Sequence, residues 1–199
     1  MKKELQEKLY KNYPEIFAQR DLTIQQSAMP WGFECMDGWY QIIDILCQTI
    51  MQHINSKRDS MKFKRDWKNP PGSLQEYYNN CREISSREEI RNHFQSILDT
   101  IKDPRPIEEV IPVPEAVQVK EKYGILHFYM NGTDDFIDGA IHMAEKLSTL
   151  TCEYCSKPGK TYNDHGWIYT LCPDCVRRLD GGKSKPWMWE KEDAKDSIN

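Results

Sequence analysis

The sequence predicts an α+β fold made of three parts that follow one another along the chain. Apolar residues recur at about four-residue steps in the first half, which indicates helices, and between residues 117 and 130 the spacing falls to two, which indicates strands. The last third carries two Cys-x-x-Cys pairs, which predict a metal-binding module. We expect a mainly helical region at 1–110, a β-hairpin with a helix at 111–150, a four-cysteine module at 151–186 and a tail at 187–199.

Composition narrows the class of protein. The chain has 199 residues and a formal net charge of −4, from 27 basic and 31 acidic residues. A dedicated nucleic-acid-binding domain usually carries a basic excess, so this balance argues against one. No apolar run approaches the roughly 18 residues that span a bilayer, and the charged start Met1–Lys8 lacks the apolar segment of a signal peptide. We therefore expect a cytoplasmic protein without a membrane partner.

The helical region centres on a helix predicted at 38–55. An earlier apolar face over residues 4–17 predicts a first helix, which Pro14 should interrupt. The aromatic block 31–39, Trp-Gly-Phe-Glu-Cys-Met-Asp-Gly-Trp, comes next, and Asp37 is placed to cap the following helix. The core face of that helix is predicted from six apolar residues: Trp39, Ile42, Ile43, Leu46, Ile50 and Ile54.

Residues 56–72 change character and are predicted to form a basic loop. Six basic residues stand against two acidic ones between 57 and 68, with Phe63 and Trp67 among them. Such a segment can hold a phosphate backbone and stack bases, or it can be a solvated loop or a protein-docking surface. Two capping boxes, which begin at Ser73 and Ser86, predict further helices, and prolines make 103–115 a connector.

The period of two predicts a hairpin with a turn at 122–124 and a second strand at 125–130. Thr133 is placed to cap the next helix, and Asp134 and Asp135 suit the positive end of its dipole. The apolar residues expected on the core side of that helix are Phe136, Ile137, Ala140, Ile141, Ala144 and Leu147.

The strongest motif is Cys152-x-x-Cys155, followed after sixteen residues by Cys172-x-x-Cys175. Four thiolates at this spacing predict one tetrahedral site, for which Zn²⁺ is the usual ion. A catalytic zinc keeps an open position for water, so four sulfur ligands favour a structural zinc. Two short strands with a polar turn at 163–166 are expected between the pairs, and Pro173 should lie in the first turn of a closing helix. This order of knuckle, hairpin and helix resembles a treble-clef zinc module.

Two other groups of residues are catalytic candidates. Asp164 and His165 invite comparison with HNH nucleases, although the closing helix offers Arg177 and Arg178 where those enzymes place a further His or Asn. Carboxylates at Glu34 and Asp37, or at Asp134, Asp135 and Asp138, could serve acid–base or metal chemistry. A hairpin turn and helix capping explain both groups without catalysis, so we expect no enzyme.

The aromatic block 31–39, the segment Val119-Lys-Glu-Lys-Tyr-Gly-Ile-Leu-His-Phe-Tyr129 and the paired cysteines resemble an uncharacterised family of small bacteriophage and prophage proteins. The resemblance covers most of 14–176, with 57–72 as an insertion, and implies a protein made inside an infected bacterium. By analogy, we expect a binding protein that inhibits or modulates a host protein complex, such as a bacterial defence system. A nucleic-acid-binding accessory protein and an HNH-like nuclease are the alternatives.

Six residues are predicted to contact a partner: Trp31, Lys62, Lys64, Arg65, Trp67 and Trp187. Tryptophans dominate the energetics of many interfaces, and this favours Trp31 and Trp187 as anchors. The segment 186–189 could also fold back to cover the zinc module, and the sequence leaves both readings open.

Overall fold

The computed structural model describes residues 1–68, 111–164, 166–180 and 185–186. The chain divides into two units, one formed by 1–51 with 113–199 and the other by 52–112. The first unit therefore joins the N-terminal helices, the predicted hairpin and the cysteine module, which the sequence assigned to successive regions. Helices and two three-stranded sheets, one mixed and one antiparallel, together confirm the α+β class.

A three-stranded sheet forms the centre of the first unit. Strand β1 (Phe33–Glu34) pairs in parallel with β2 (Glu115–Lys122), which pairs antiparallel with β3 (Ile125–Asn131). The two-residue turn between β2 and β3 has positive φ at Tyr123 (56°) and Gly124 (74°). Two left-handed residues in succession make a type I′ turn, which matches the twist of a hairpin. The predicted hairpin is confirmed.

Aromatic residues from distant parts of the chain pack against one face of this sheet. Phe17 lies with its ring centroid 5.2 Å from that of Phe33 and 6.2 Å from that of Phe128, and Tyr10 lies 5.5 Å from Phe33. Helix α1 (Lys3–Asn12) supplies Tyr10 and ends before Pro14, as the sequence predicted. These edge-on and tilted contacts stabilise the core beyond the area they bury.

Helix α2 (Tyr40–Lys68) differs from its prediction at both ends. It begins after a 3-10 turn at Asp37–Trp39, and Asp37 does not cap it; the Asp37 carboxylate accepts hydrogen bonds from the backbone N–H of Lys2 (2.7 Å) and pairs with its ammonium (3.3 Å). Residues 56–68 continue the helix, so the loop predicted there is wrong. The segment has no helix breaker before Asn69-Pro70, and Lys, Arg and Met are good helix formers.

Helix α3 (Asp135–Ser148) follows β3 and returns along it. Asp134, rather than the predicted Thr133, is its N-cap, because the Asp134 carboxylate accepts a hydrogen bond from the N–H of Ile137 (3.0 Å). Ile137 and Ala144 are buried as predicted, but Phe136 and Leu147 are 52 % and 49 % exposed. The helix contacts the sheet through a narrow face, so its apolar residues are not all in the core.

The C-terminal part contains the predicted knuckle, hairpin and helix in that order. Strands β4 (Lys160–Asp164) and β5 (Trp167–Leu171) pair antiparallel, β6 (Lys185–Pro186) pairs with β4, and helix α4 (Pro173–Asp180) starts one residue after Cys172. The helices predicted from Ser73 and Ser86, the connector residues up to 110, His165 and Trp187 lie outside the described residues. Within the described residues, no helix combines the length and apolar character that a bilayer span requires.

Candidate metal centre

The four cysteines of the two pairs meet in one cluster. All four sulfur atoms lie within 4.8 Å of one another, and the Sγ of Cys155 is 3.5 Å from that of Cys172 and 3.6 Å from that of Cys175. A disulfide would bring two sulfurs to about 2.05 Å, whereas four sulfurs placed about 2.3 Å from a tetrahedral zinc lie about 3.8 Å apart. The observed separations fit the metal site, and all four cysteines are free thiols.

The turn around the first cysteine pair, residues 151–159, is called the first knuckle. Its residues allow the backbone to fold tightly around Cys152. The N–H of Cys152 donates to the carbonyl of Lys157 (2.8 Å), and the N–H of Ser156, which has a positive φ of 62°, donates back to the carbonyl of Cys152 (3.0 Å). A Cβ at Gly159 would lie 2.7 Å from the backbone nitrogen of Cys152. Only glycine fits at that position. Gly159 is therefore needed for the turn that places the ligand Cys152.

The second cysteine pair, Cys172 and Cys175, is held by the start of helix α4. The N–H groups of Cys175 and Val176 both donate to the carbonyl of Cys172 at 3.0 Å, and this places Cys175 in the first turn of the helix. From the next turn, the guanidinium of Arg178 lies 2.9 Å from the Sγ of Cys175. A positive donor at this distance stabilises a thiolate and offsets part of the excess charge of a tetrathiolate site.

Burial and the neighbouring thiols shift the pKa values of three of the four cysteines. Burial raises the pKa of Cys152 and, together with hydrogen bonds from the neighbouring thiols, raises that of Cys175 to about 12. Burial also acts on Cys172, but the N–H of Cys175 and the other thiols outweigh it and lower the pKa of Cys172 to about 7. Burial thus opposes bringing four thiolates together, and a bound cation would offset that cost.

The aromatic block 31–39 supports the first knuckle directly. The N–H of Gly38 donates to the carbonyl of Glu153 (2.6 Å), the hydroxyl of Ser156 donates to the carbonyl of Gly38 (2.7 Å), and the indole N–H of Trp39 donates to the carbonyl of Thr151 (2.9 Å). Trp39 is fully buried. A Cβ at Gly38 would lie 2.2 Å from the carbonyl oxygen of Cys152, so the two segments touch backbone to backbone.

A buried carboxylate joins the same contact. Glu153 is 5 % exposed and accepts a hydrogen bond from the N–H of Met36 (3.0 Å). Burial raises its pKa to about 7, although the bond from Met36 acts in the opposite direction. The Glu153 side chain, next to the ligand Cys152, therefore belongs to the buried contact between the first knuckle and the aromatic block.

Of the residues predicted to contact a partner, Trp31 and Lys62 have side chains that the structure describes. Trp31, at the start of the block, is 62 % exposed, whereas Trp39, at its end, is fully buried. Lys62 is exposed on helix α2, and Lys64, Arg65 and Trp67 occupy helical positions whose side chains are not described. Among the described residues, the four cysteines are the only group of three or more His, Cys, Asp or Glu side chains that could hold a metal ion.

The proposed carboxylate pairs have other contacts. Glu34 accepts a hydrogen bond from the side-chain amide of Gln118 (3.1 Å), and Asp37 binds Lys2. Asp134 caps helix α3, so that carboxylate of the group has a structural role. Asp164 ends strand β4, and its proposed partner His165 lies outside the described residues. These contacts give no support to an acid–base pair.

One surface escaped the sequence-based predictions. Met143, Leu147 and Leu150 are 66 %, 49 % and 66 % exposed, and their spacing of four and three residues places them on one flank of helix α3 and its C-terminal extension. The sequence does indicate this exposed surface, because helix α3 has more apolar residues than a single narrow buried face can hold. We call Met143, Leu147 and Leu150 the α3 row.

Comparison with models of protein families, with curated proteins and with solved structures finds no significant match.

Proposed function

We propose that this protein is a non-enzymatic binding protein of bacteriophage type, made in the host cytoplasm, which inhibits or modulates a host protein complex. Bacterial defence systems are among the targets that this context suggests. The proposal joins the sequence resemblance to phage proteins with a structural zinc and an exposed apolar surface. Each of these has its own support.

Zinc is the ion we propose for the four cysteines. A soft, closed set of thiolates suits Zn²⁺, and four protein ligands leave no coordination position for a water nucleophile. The knuckle that supplies Cys152 is bonded to the aromatic block through Gly38 and Trp39, so the ion would stabilise the first unit well beyond its own ligands. This is the arrangement of a structural site.

The observation that carries the binding function is the α3 row. Three large apolar side chains, each about half exposed or more, form one continuous line on a helix whose buried residues, Ile137 and Ala144, lie on a different side. Soluble proteins rarely leave such lines uncovered, and where they do, the surface commonly binds another protein. Met and Leu in this pattern also match the anchors of helical docking surfaces.

A capture experiment tests this proposal. The zinc-loaded protein, immobilised in a lysate of the host bacterium, should retain one host protein in stoichiometric amount, and the purified pair should form a complex. Leu147→Lys and Met143→Lys should abolish the complex, whereas Lys146→Ala, an exposed change on the same helix outside the row, should not. A complex that survives both Lys substitutions would refute the role of the α3 row.

A second function is favoured by the helical form of residues 57–68. At about 100° per residue, the six basic positions fall within an arc of about 160°, and Asp59 and Asp66 lie outside it. Lys57 and Lys62, whose side chains are described, are exposed. A helix with one basic flank fits the phosphate backbone of a nucleic acid, so the alternative is a nucleic-acid-binding accessory protein.

Oligonucleotide binding separates the two functions. If the second is correct, binding should weaken steeply with salt and should be lost when Lys62, Lys64 and Arg65 are replaced together by Glu. The α3-row substitutions should leave it unchanged. Absence of binding to both single-stranded and duplex DNA and RNA at low salt would remove this alternative.

A further inference from the structure

Helix α3 and strand β3 diverge and leave a groove between them. At one end they are joined, because the hydroxyl of Ser148 accepts a hydrogen bond from the N–H of Leu126 (2.9 Å). Towards the other end, a cavity of about 320 Å³ opens, lined on one side by Phe128, Tyr129 and Met130 and on the other by Thr133, Asp138, Ile141, His142 and Glu145. We call this cavity the β3–α3 groove.

The groove runs along the edge of the sheet. Successive side chains of a strand point to opposite faces, so the three consecutive residues 128–130 can line one cavity only where the edge of the strand borders it. In the order β1-β2-β3, strand β3 is terminal, and no described strand pairs with its outer side. The main chain of β3 therefore forms one wall of the groove.

Two observations show which backbone groups of β3 point into the groove. The type I′ turn makes Lys122 and Ile125 the first pair of the hairpin, and the N–H of Leu126 points outward to Ser148. Backbone groups alternate in direction along an antiparallel strand, so the N–H and C=O groups of Phe128 and Met130 also point outward, beyond the position that Ser148 fills. These are the groups that a further strand would use.

The other wall supplies charge and an apolar contact. Asp138 and Glu145 bring two carboxylates to the groove, and no Lys or Arg is among the residues that line it. Glu145 also contacts His127, with 3.4 Å between its Oε1 and the Nδ1 of the ring, whereas Asp138 is exposed at the rim. Half-buried Ile141 lies between them. A basic side chain beside Asp138 and an apolar one against Ile141 would complement this wall.

We propose that the β3–α3 groove binds an extended peptide segment of the partner protein, which adds to β3 as a fourth strand and places a Lys or Arg beside Asp138. An exposed sheet edge with a helix alongside is suited to this mode, in which main-chain bonds supply affinity and the flanking side chains supply specificity. The inference rests on the proposed function, since it names the kind of segment that a protein partner presents. It uses the flank of α3 opposite the α3 row.

The probe is a displayed library of random octapeptides, selected on the zinc-loaded full-length protein. Enriched peptides should combine β-branched residues with Lys or Arg and should slow hydrogen exchange at the amides of Phe128 and Met130. Met130→Pro removes an outward N–H but no bond to β2, and should weaken binding about fivefold to tenfold relative to Met130→Leu. Asp138→Lys should weaken it by at least about fivefold, while the matched surface change Asp135→Lys should not.

Several results would overturn the proposal. These are a selection without enrichment, or enriched peptides that bind Met130→Pro and Asp138→Lys as tightly as the unaltered chain. Protection of the two amides in the protein alone would also overturn it. If that protection is lost on replacing Trp187 and Trp189 by Ala, the C-terminal segment fills the groove, and if it rises with protein concentration, a second copy does.

Failure of this inference is distinguishable from failure of the proposed function. Met143→Lys alters the α3 row and should leave peptide binding unchanged, and Asp138→Lys leaves the row intact. Host-protein capture that is lost in Met143→Lys, without any peptide selected, would retain the binding function and remove the groove. Selected peptides that depend on Asp138, without host-protein capture, would retain the groove alone.

Discussion

Gly38→Ala should destabilise the protein by breaking the contact between the aromatic block and the first knuckle. The added Cβ would lie 2.2 Å from the carbonyl oxygen of Cys152 and 2.5 Å from that of Glu153, where real Cβ contacts are essentially never below 3.0 Å. Both obstacles are backbone atoms, so neither can rotate away. The two segments must separate by about 0.8 Å or more.

The magnitude follows from the bonds that this separation stretches. The N–H of Gly38 to the carbonyl of Glu153 (2.6 Å), the hydroxyl of Ser156 to the carbonyl of Gly38 (2.7 Å) and the indole of Trp39 to the carbonyl of Thr151 (2.9 Å) all cross the contact. Each such bond contributes about 1 kcal/mol net, and a buried group left without a partner costs more. We expect a loss of about 2–4 kcal/mol in the free energy of unfolding.

Gly139→Ala is the matched control. Gly139 lies within helix α3, and nothing lies within 4 Å of the Cβ that the substitution would add. Alanine is favoured over glycine in a helix interior by about 1 kcal/mol, so this change should leave the stability equal or raise it. Denaturant unfolding of the zinc-loaded proteins, followed by tryptophan fluorescence, gives both values. A Gly38→Ala effect within about 0.5 kcal/mol of zero would show that the block does not support the knuckle.

Metal, thiol and capping experiments test the remaining features. Metal analysis should find about one zinc per chain, and Cys172→Ser should lose the metal together with folded protein; full retention would refute the assignment. Cys35 and Cys47 are buried, and burial raises the pKa of Cys35 to about 12, so site-resolved alkylation should spare both until the protein unfolds. Labelling of either in the native state would contradict that packing. Asp134→Ala should lower the free energy of unfolding by about 1 kcal/mol, because the N-cap is lost. Thermal unfolding of Asp135→Ala should show a smaller change. Equal losses would contradict the assignment of Asp134 as the cap.

Local patterns in the sequence were sufficient for the elements that depend on near neighbours. The hairpin around Tyr123-Gly124 follows from the alternation of apolar residues and a turn that accepts positive φ. The cysteine pairs could be assigned to one site because a fixed spacing, a hairpin and a short helix leave few ways to arrange four ligands. The helical state of 57–68 also follows from local sequence, because Lys, Arg and Met are good helix formers and a high charge does not by itself indicate a loop.

Residues whose roles depend on distant contacts could not be assigned in this way. Asp37 has the residue type and position of a helix cap, yet Lys2, thirty-five residues away, binds its carboxylate. Phe136 and Leu147 belong to an apolar stripe, yet the sheet covers only part of it. In both cases the local pattern states what a side chain can do, and the competition among distant partners determines what it does.

The sequence by itself therefore determined the α+β class, the hairpin and the four-cysteine site, because each arises from spacing along a short stretch of chain. Only the tertiary structure decided that the block 31–39 is a support for the first knuckle, that α3 leaves an apolar row uncovered and that β3 ends the sheet beside a groove. These features depend on how surfaces pack together, in the case of Gly38 and Glu153 across more than a hundred residues. The physical reason is that burial and close backbone approach are properties of the packed chain: nothing around Gly38 in the sequence shows that the carbonyl of Cys152 will lie against it.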